Sequence, residues 1–277
     1  MPATVLSLRA AALLIWPLWT WPLWIWLVVG VVCAGCRDRG AAGPIAFVAL
    51  EPGVELAQPR LRLTHSELEI EAVVMRLDPG LIELRAIHAP ALLDAAGFRA
   101  AAGGIAAING HYFDPAYKPL GLLVSEGREL SRLRRVDHGI FGVAAGRPFL
   151  DHARSFKAPK ALEFAIECGP RLVVDGQPLQ LKQGVARRTA IGYDGSGRIL
   201  LIATEGVIAL LDLADFAARP LAGGGLAAVG LLNLDGGSST MFDLHTASRH
   251  VAIRSAVEVP VGVVVKRRSA SNSASAP

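Results

Sequence analysis

The chain of 277 residues has only three cysteines, Cys33, Cys36 and Cys168. Two of them close an apolar N-terminal run, which leaves Cys168 alone in the remainder and excludes an internal disulfide scaffold. A lone cysteine followed by Gly-Pro reads as a small buried hydrophobe. No block of one charge sign is present. The totals are 28 basic against 24 acidic residues, and Arg134–Arg135 is too short for a basic stripe, so nucleic-acid binding is excluded. Internal repeats of 20–50 residues are missing, which removes solenoids and propellers. His65, His88, His111, His138 and His152 are scattered and lack the tight spacing of a metal-binding helix, so no metal or other cofactor is expected. At this length a full core forms without staples.

What the chain does have begins near its start. Residues 10–32 carry no charge, follow Arg9 and hold all five tryptophans between Trp16 and Trp26. Such a run spans a bilayer, and the preceding arginine suits an export signal. Ala34-Gly35-Cys36 resembles the end of a bacterial lipobox, with Cys36 as the lipidated residue and Cys33 where that motif usually has Leu. Residues 1–36 are thus an export signal, a lipoprotein signal or a membrane anchor. Each of these puts the remainder outside the cytoplasm and, in two of the three, on the membrane.

Residues 37–44 read as a linker, 45–266 as one domain and 267–277 as a disordered tail low in apolar residues. Within the domain, Val54–Leu63, Leu68–Leu77 and Leu81–His88 show strand patterning, and the turn Asp78-Pro-Gly80 should join two antiparallel strands. Further strands are expected at 105–109, 121–125, 140–144, 161–174 and 257–265, with a hairpin of 187–193 and 198–204 around Asp194-Gly-Ser-Gly197. Helices are expected at Ala91–Ala102, stopped by Gly103-Gly104, and at about Leu213–Ala222 with Asp212 as N-cap. The fold class is α+β: a mixed, mainly antiparallel sheet with a few helices packed on it.

Two strands run into similar polar turns, at Asn109-Gly110 and at Asp235-Gly236-Gly237. In the second, an apolar run delivers a carboxylate into two glycines and three hydroxyl side chains. That arrangement is either an ordinary turn or an anion-receiving loop. Four stretches, Asn109-Gly-His-Tyr-Phe-Asp114, Gly169-Pro-Arg-Leu-Val-Val-Asp-Gly176, Arg188-Thr-Ala-Ile-Gly192 and Asn233-Leu-Asp-Gly-Gly-Ser-Ser-Thr240, occur in that order. Together they resemble the phosphodiester glycosidase family over about residues 105–265. The resemblance implies an envelope hydrolase that releases a sugar from a sugar-1-phosphodiester or a related envelope glycan. This chain departs from the family pattern at His111 and Tyr112, where a small residue is usual. It departs again at Ser238, where a third glycine is usual, so Ser239 matches the family's serine.

Cleavage of a glycosyl phosphate needs a carboxylate near the anomeric carbon and cationic or N–H donors on the phosphate. Asp235 is the first carboxylate, as nucleophile, base or ligand of a divalent ion shared with substrate phosphate, and Glu167 is the second. Arg188, the Gly236 and Gly237 amides and the Ser239 hydroxyl form the phosphate site. Asn109, with Gly110, either hydrogen-bonds the sugar or holds the Asp235 loop. Plainer roles stand beside these: turn former for Asp235, ion-paired strand residue for Arg188, structural carboxylate for Glu167, and packed histidine for His111, with His138 weaker still. Two other functions remain open, a glycan-binding envelope lipoprotein without catalysis and a serine hydrolase using Ser238 or Ser239.

Overall fold

The computed structural model describes residues 43–62, 69–182 and 184–269. The apolar run, Cys36, residues 37–42 of the linker, His65 and residues 270–277 lie outside that set. Among the described residues, no helix is long and apolar enough to cross a membrane.

Three sheets form the body. The large one has nine strands. Eight follow the order Val48–Glu51, Val54–Ala57, Glu69–Leu77, Ile199–Thr204, Thr189–Asp194, Ala228–Asn233, Arg171–Val174 and Gln177–Pro178, and Arg60–Arg62 pairs beside Glu69–Leu77. The second orders His250–Ile253, Phe242–His245, Ala106–Asn109, Val259–Arg267 and Ile82–Leu93. The third orders Arg147–His152, Gly139–Ala144, Leu162–Cys168, Leu123–Ser125 and Arg128–Ser131. A two-stranded flap pairs Val185–Ala186 with Ile208–Ala209. Every pairing among the described strands is antiparallel, so the expected mixed sheet is corrected to three antiparallel ones. Parallel neighbours need long crossovers, usually helical, and two short helices supply few of them.

Side-chain alternation assigns the faces. In Ile199–Thr204, Ile199, Leu201 and Ala203 point into a central core shared by all three sheets, alongside Ile108, Phe141, Phe164, Phe242 and Val263. Leu200 and Ile202 point the other way and meet Leu213, Phe216 and Ala217 of the helix Leu210–Ala218. Both faces are covered, which is why this strand reads as one unbroken apolar run. Each such fully buried side chain contributes roughly 1.5–3 kcal/mol. The other helix, Ala95–Ala102, lays Ala95 and Phe98 on Ala107 and Val264 of the second sheet.

Local signals were partly misread. The first helix starts at Ala95, where Asp94 caps it through a 2.7 Å bond from Gly97 N–H, and Ala91–Leu93 prolong the preceding strand. Gly103 ends it as expected, with φ of 59°. The second helix begins at Leu210 after Ala209, which makes no side-chain cap; Asp212 lies inside the first turn and Pro220 beyond the end. Asp78-Pro-Gly80 does turn the chain, with Gly80 N–H on Asp78 Oδ1 at 2.8 Å. The strands it links belong to different sheets, however, and do not pair. The last strand runs on to Arg267, which pairs with Ile82 and bonds Glu51, so the final strand absorbs the first residue assigned to the tail.

Candidate functional site

The fully buried strand Ala106–Asn109 ends at an asparagine that joins three distant motifs. Asn109 Oδ1 accepts the Thr189 hydroxyl at 2.7 Å and the Met241 N–H at 3.2 Å. Its Nδ2 donates to the Asp235 carbonyl at 2.7 Å and more weakly to that of Gly110 at 3.3 Å. With no exposed surface, Asn109 holds the Asp235 loop and does not meet solvent. Gly110 completes the join, accepting Asp235 N–H at 3.2 Å and donating to Val261 at 2.7 Å. The approach is so close that a Cβ at Gly110 would stand 2.4 Å from Val261 Cγ1.

Strand Ala228–Asn233 delivers the second turn. Leu234 N–H bonds Thr189 O at 2.8 Å, after which the chain turns at Gly237, with φ of 64°. Asp235 is half-buried beneath this turn. Burial raises its pKa, against the lowering pull of the Ser239 hydroxyl and the Gly236 N–H. The two amides assigned to phosphate are already engaged. Gly236 N–H binds Asp235 Oδ1 at 3.0 Å, and Gly237 N–H binds Arg187 O at 2.8 Å. Gly236 and Gly237 therefore shape the turn. Ser239 is buried beside Asp235, whereas Ser238 is exposed. Among the described residues no histidine hydrogen-bonds either serine, which leaves the serine-hydrolase reading without a base.

Arg188 lies across this turn. Its guanidinium is held by backbone carbonyls of the flap and its approach, Nη2 on Gly184 at 2.7 Å and Nε on Ile208 at 3.3 Å. Its Nη1 and Cδ each lie 3.9 Å from where a Cβ at Gly236 would lie. Among the described residues no carboxylate pairs with Arg188, and partial burial lowers its pKa. A half-buried guanidinium held by neutral carbonyls, with no counter-charge, suits an incoming anion.

Glu167 lies on the other flank and is fully buried. Its Oε2 accepts Leu122 N–H at 2.8 Å and Arg134 N–H at 2.9 Å. Burial alone would raise its pKa, but His138 and these two amides outweigh that and bring it below the usual range. Glu167 has no exposed surface, and its Oε2 is engaged by protein amides in this structure.

Between the flanks sits Tyr112. Its hydroxyl donates to Gly169 O at 2.6 Å, the carbonyl that Asn233 Nδ2 also reaches at 3.0 Å, just before the cis Gly169–Pro170 bond. Burial pushes its phenol pKa up; Asp235 adds to that push and Arg188 opposes it, so both charges act on this hydroxyl. His111 is packed inside, and burial lowers its pKa to about 4. Thr189 and Asn233 stand within the quoted motifs with no role assigned from sequence, and Tyr112 enters there only as a departure from the family pattern. His138 carried no motif signal at all. Two cavities of about 400 and 570 Å³ share Asp78 and Arg198 in their linings and include none of these groups. Among the described residues no three His, Cys, Asp or Glu side chains cluster as metal ligands.

Known proteins resemble this chain to different extents. The uncharacterized protein YigE of Escherichia coli is 27% identical over 150 residues, 49% of this chain and 57% of its own length. The chain thus spans little more than half of that relative. Among solved structures, the catalytic domain of zebrafish N-acetylglucosamine-1-phosphodiester alpha-N-acetylglucosaminidase, auto-inhibited by its pro-peptide, superposes with a TM-score of 0.62. The identity is 15%, over 81% of this chain and 87% of that one. A hypothetical protein from Synechocystis matches with a TM-score of 0.55 at 16% identity, over 82% of this chain and 64% of its own. At such identities the likeness is one of fold. A model of the phosphodiester glycosidase family matches residues 102–266, more than half of the sequence and all four motifs, and the chain belongs to that family.

Proposed function

We propose that this protein hydrolyses the glycosyl–phosphate bond of a sugar-1-phosphodiester outside the cytoplasm, with Asp235 as the carboxylate and Arg188 as the phosphate grip. The observation that carries this reading is that a half-buried guanidinium with no carboxylate partner among the described residues and a half-buried aspartate both lie beside Gly236. As the C–O bond breaks, positive charge grows on the sugar ring and negative charge on the departing phosphate. Asp235 faces the first and Arg188 the second. Because a phosphomonoester is a weak base, the leaving group needs little protonation. The name of the zebrafish enzyme makes an N-acetylglucosamine-1-phosphodiester the first substrate to try.

Incubation with the methyl phosphodiester of N-acetylglucosamine-1-phosphate is expected to release free sugar. Asp235→Asn abolishes that release, and Arg188→Ala lowers kcat/KM about 10²–10³-fold, the scale for losing one electrostatic donor. Saccharide binding without turnover in the unmodified protein would turn the assignment to a glycan-binding protein. Undiminished rates in Asp235→Asn would remove that residue from the mechanism. Attachment through the N-terminal segment is part of the same proposal, supported by the charge-free run and by Cys36. If Cys36 is the lipidated residue, metabolic palmitate labelling is lost in Cys36→Ser; retained label would locate the acyl chain elsewhere.

A further inference from the structure

The flank formed by Glu167 holds a group to which nothing above gives work. His138 immediately precedes strand Gly139–Ala144, whose register sets Gly139 against Cys168. Its ring packs beside Tyr112, with centroids 6.1 Å apart, and against Gly169, where a Cβ would stand 3.1 Å from His138 Cδ2. Nδ1 is turned inward, 3.4 Å from Glu167 Oε1. Holding the Leu122 and Arg134 amides occupies only Oε2. Oε1 and Nδ1 are both buried, make no hydrogen bond elsewhere and face each other. A buried carboxylate behind one ring nitrogen fixes the proton there and leaves the other nitrogen as a base. The side chain is 24% exposed while Nδ1 is buried, so the nitrogen on the solvent side is Nε2.

We propose that His138, held in place by Glu167, is the general base of this site. The proposal rests on the glycosyl-phosphate reading. A water oxygen forms the new bond to the anomeric carbon while the bond from that carbon to the phosphate oxygen breaks. Its electron pair leaves on the phosphomonoester, and the water's proton ends on His138 Nε2. Asp235 and Arg188 keep their parts at the ring and the phosphate. The titratable and charged groups around His138 are Glu167 behind it, Tyr112 and Cys168 beside it, and Arg171, whose stem crosses Gly139. The neighbouring Asp137 is engaged by His152 at 3.0 Å.

The test is a set of pH–rate profiles on the full chain with the N-acetylglucosamine-1-phosphodiester, comparing the unmodified protein with His138→Gln, Glu167→Gln and Asp235→Asn. His138→Gln is expected to lower kcat about 10²–10⁴-fold and to remove the limb that rises with pH through the neutral range. KM should hardly move, because the interaction is made in the transition state. Glu167→Gln turns an amide N–H₂ toward Nδ1. The imidazole proton is then forced onto Nε2, and kcat falls while the melting temperature holds. A merely structural His138 would shift the melting temperature and leave the limb in place. If Asp235→Asn is dead while His138→Gln keeps both rate and limb, the base assignment fails and the glycosidase reading stands. If the unmodified protein releases no sugar, that reading fails instead. Nitrogen NMR of the His138 ring then tests the pair by itself: Glu167→Gln must move the imidazole proton from Nδ1 to Nε2, and an unchanged tautomer overturns it.

Discussion

Replacing Asn109 with alanine isolates what the join at the base of the site is worth. The substitution orphans three groups at once: the Thr189 hydroxyl, the Met241 N–H and the Asp235 carbonyl. Thr189 and Met241 have no exposed surface, so water cannot take over for them without opening the core. An unsatisfied buried polar group costs about 1–3 kcal/mol, giving at least about 2 kcal/mol for the two with no exposed surface. Against a total stability of roughly 5–15 kcal/mol, that is a large fraction. At about 2–4 °C per kcal/mol for a domain of this size, the melting temperature should fall by at least about 4 °C. Asn109→Asp should fare no better despite its shape, because it places a charged oxygen where Nδ2 met the Asp235 carbonyl. Circular dichroism is the right probe, since every tryptophan lies between Trp16 and Trp26, outside this domain. Thr189→Val removes a partner in the same bond, so the double variant should cost less than the sum of the two single ones. Strict additivity, or an Asn109→Ala midpoint within about 2 °C of the unmodified one, would refute the reasoning.

The remaining predictions are briefer. Asp235 has a raised pKa in the fold, so its contribution to stability is fullest below its ordinary value of 3.8 and is lost as pH rises through the folded value. Asp235→Asn should therefore melt higher than the unmodified protein at neutral pH and alike well below pH 3.8; a lower midpoint at neutral pH would contradict this. Cys168 is fully buried and its thiol is pushed up to about 12, so peptide mapping after alkylation at pH 8 should find it unmodified until denaturant is added. Prompt labelling in native buffer would count against the burial. Gly110→Ala sets a Cβ 2.4 Å from Val261 Cγ1 and should cost about 1–3 kcal/mol by overpacking, with part recovered by adding Val261→Ala. No recovery in the double variant would move the strain to the Val261 backbone.

Much of this was legible from the chain itself, for physical reasons that differ between elements. The hairpin of Thr189–Asp194 and Ile199–Thr204 could be read because two apolar runs flank a Gly-rich turn that fixes their partner locally. Asp78-Pro-Gly80 carries equally strong turn chemistry, yet a turn specifies a reversal and not the sheet that receives the next strand. Asp212 looked like a cap because the true cap position, Ala209, has no side chain able to announce it. Arg128–Ser131 and Arg147–His152 escaped notice as polar, partly exposed edge strands without strong alternation. Within the site, the partnership of Asn109 with the Asp235 loop followed from the paired Asn-Gly and Asp-Gly motifs only as one of two readings, beside contact with the sugar. The engagement of the Gly237 amide did not, because its acceptor, Arg187 O, is brought there by a neighbouring strand. Nor did the pairing of Glu167 with His138, which depends on a strand register that no local pattern encodes.

The stitch at Asn109 also governs when the protein becomes competent. Its bonds reach 80 residues forward to Thr189, 126 to Asp235 and 132 to Met241, and closing loops of that length is slow relative to forming hairpins. During synthesis Asn109 emerges long before the residues that fix it, and every partial chain ending before Met241 lacks the final strut. The site should therefore assemble late, after strand Val259–Arg267, whose Gly262 pairs with Asn109, has also emerged.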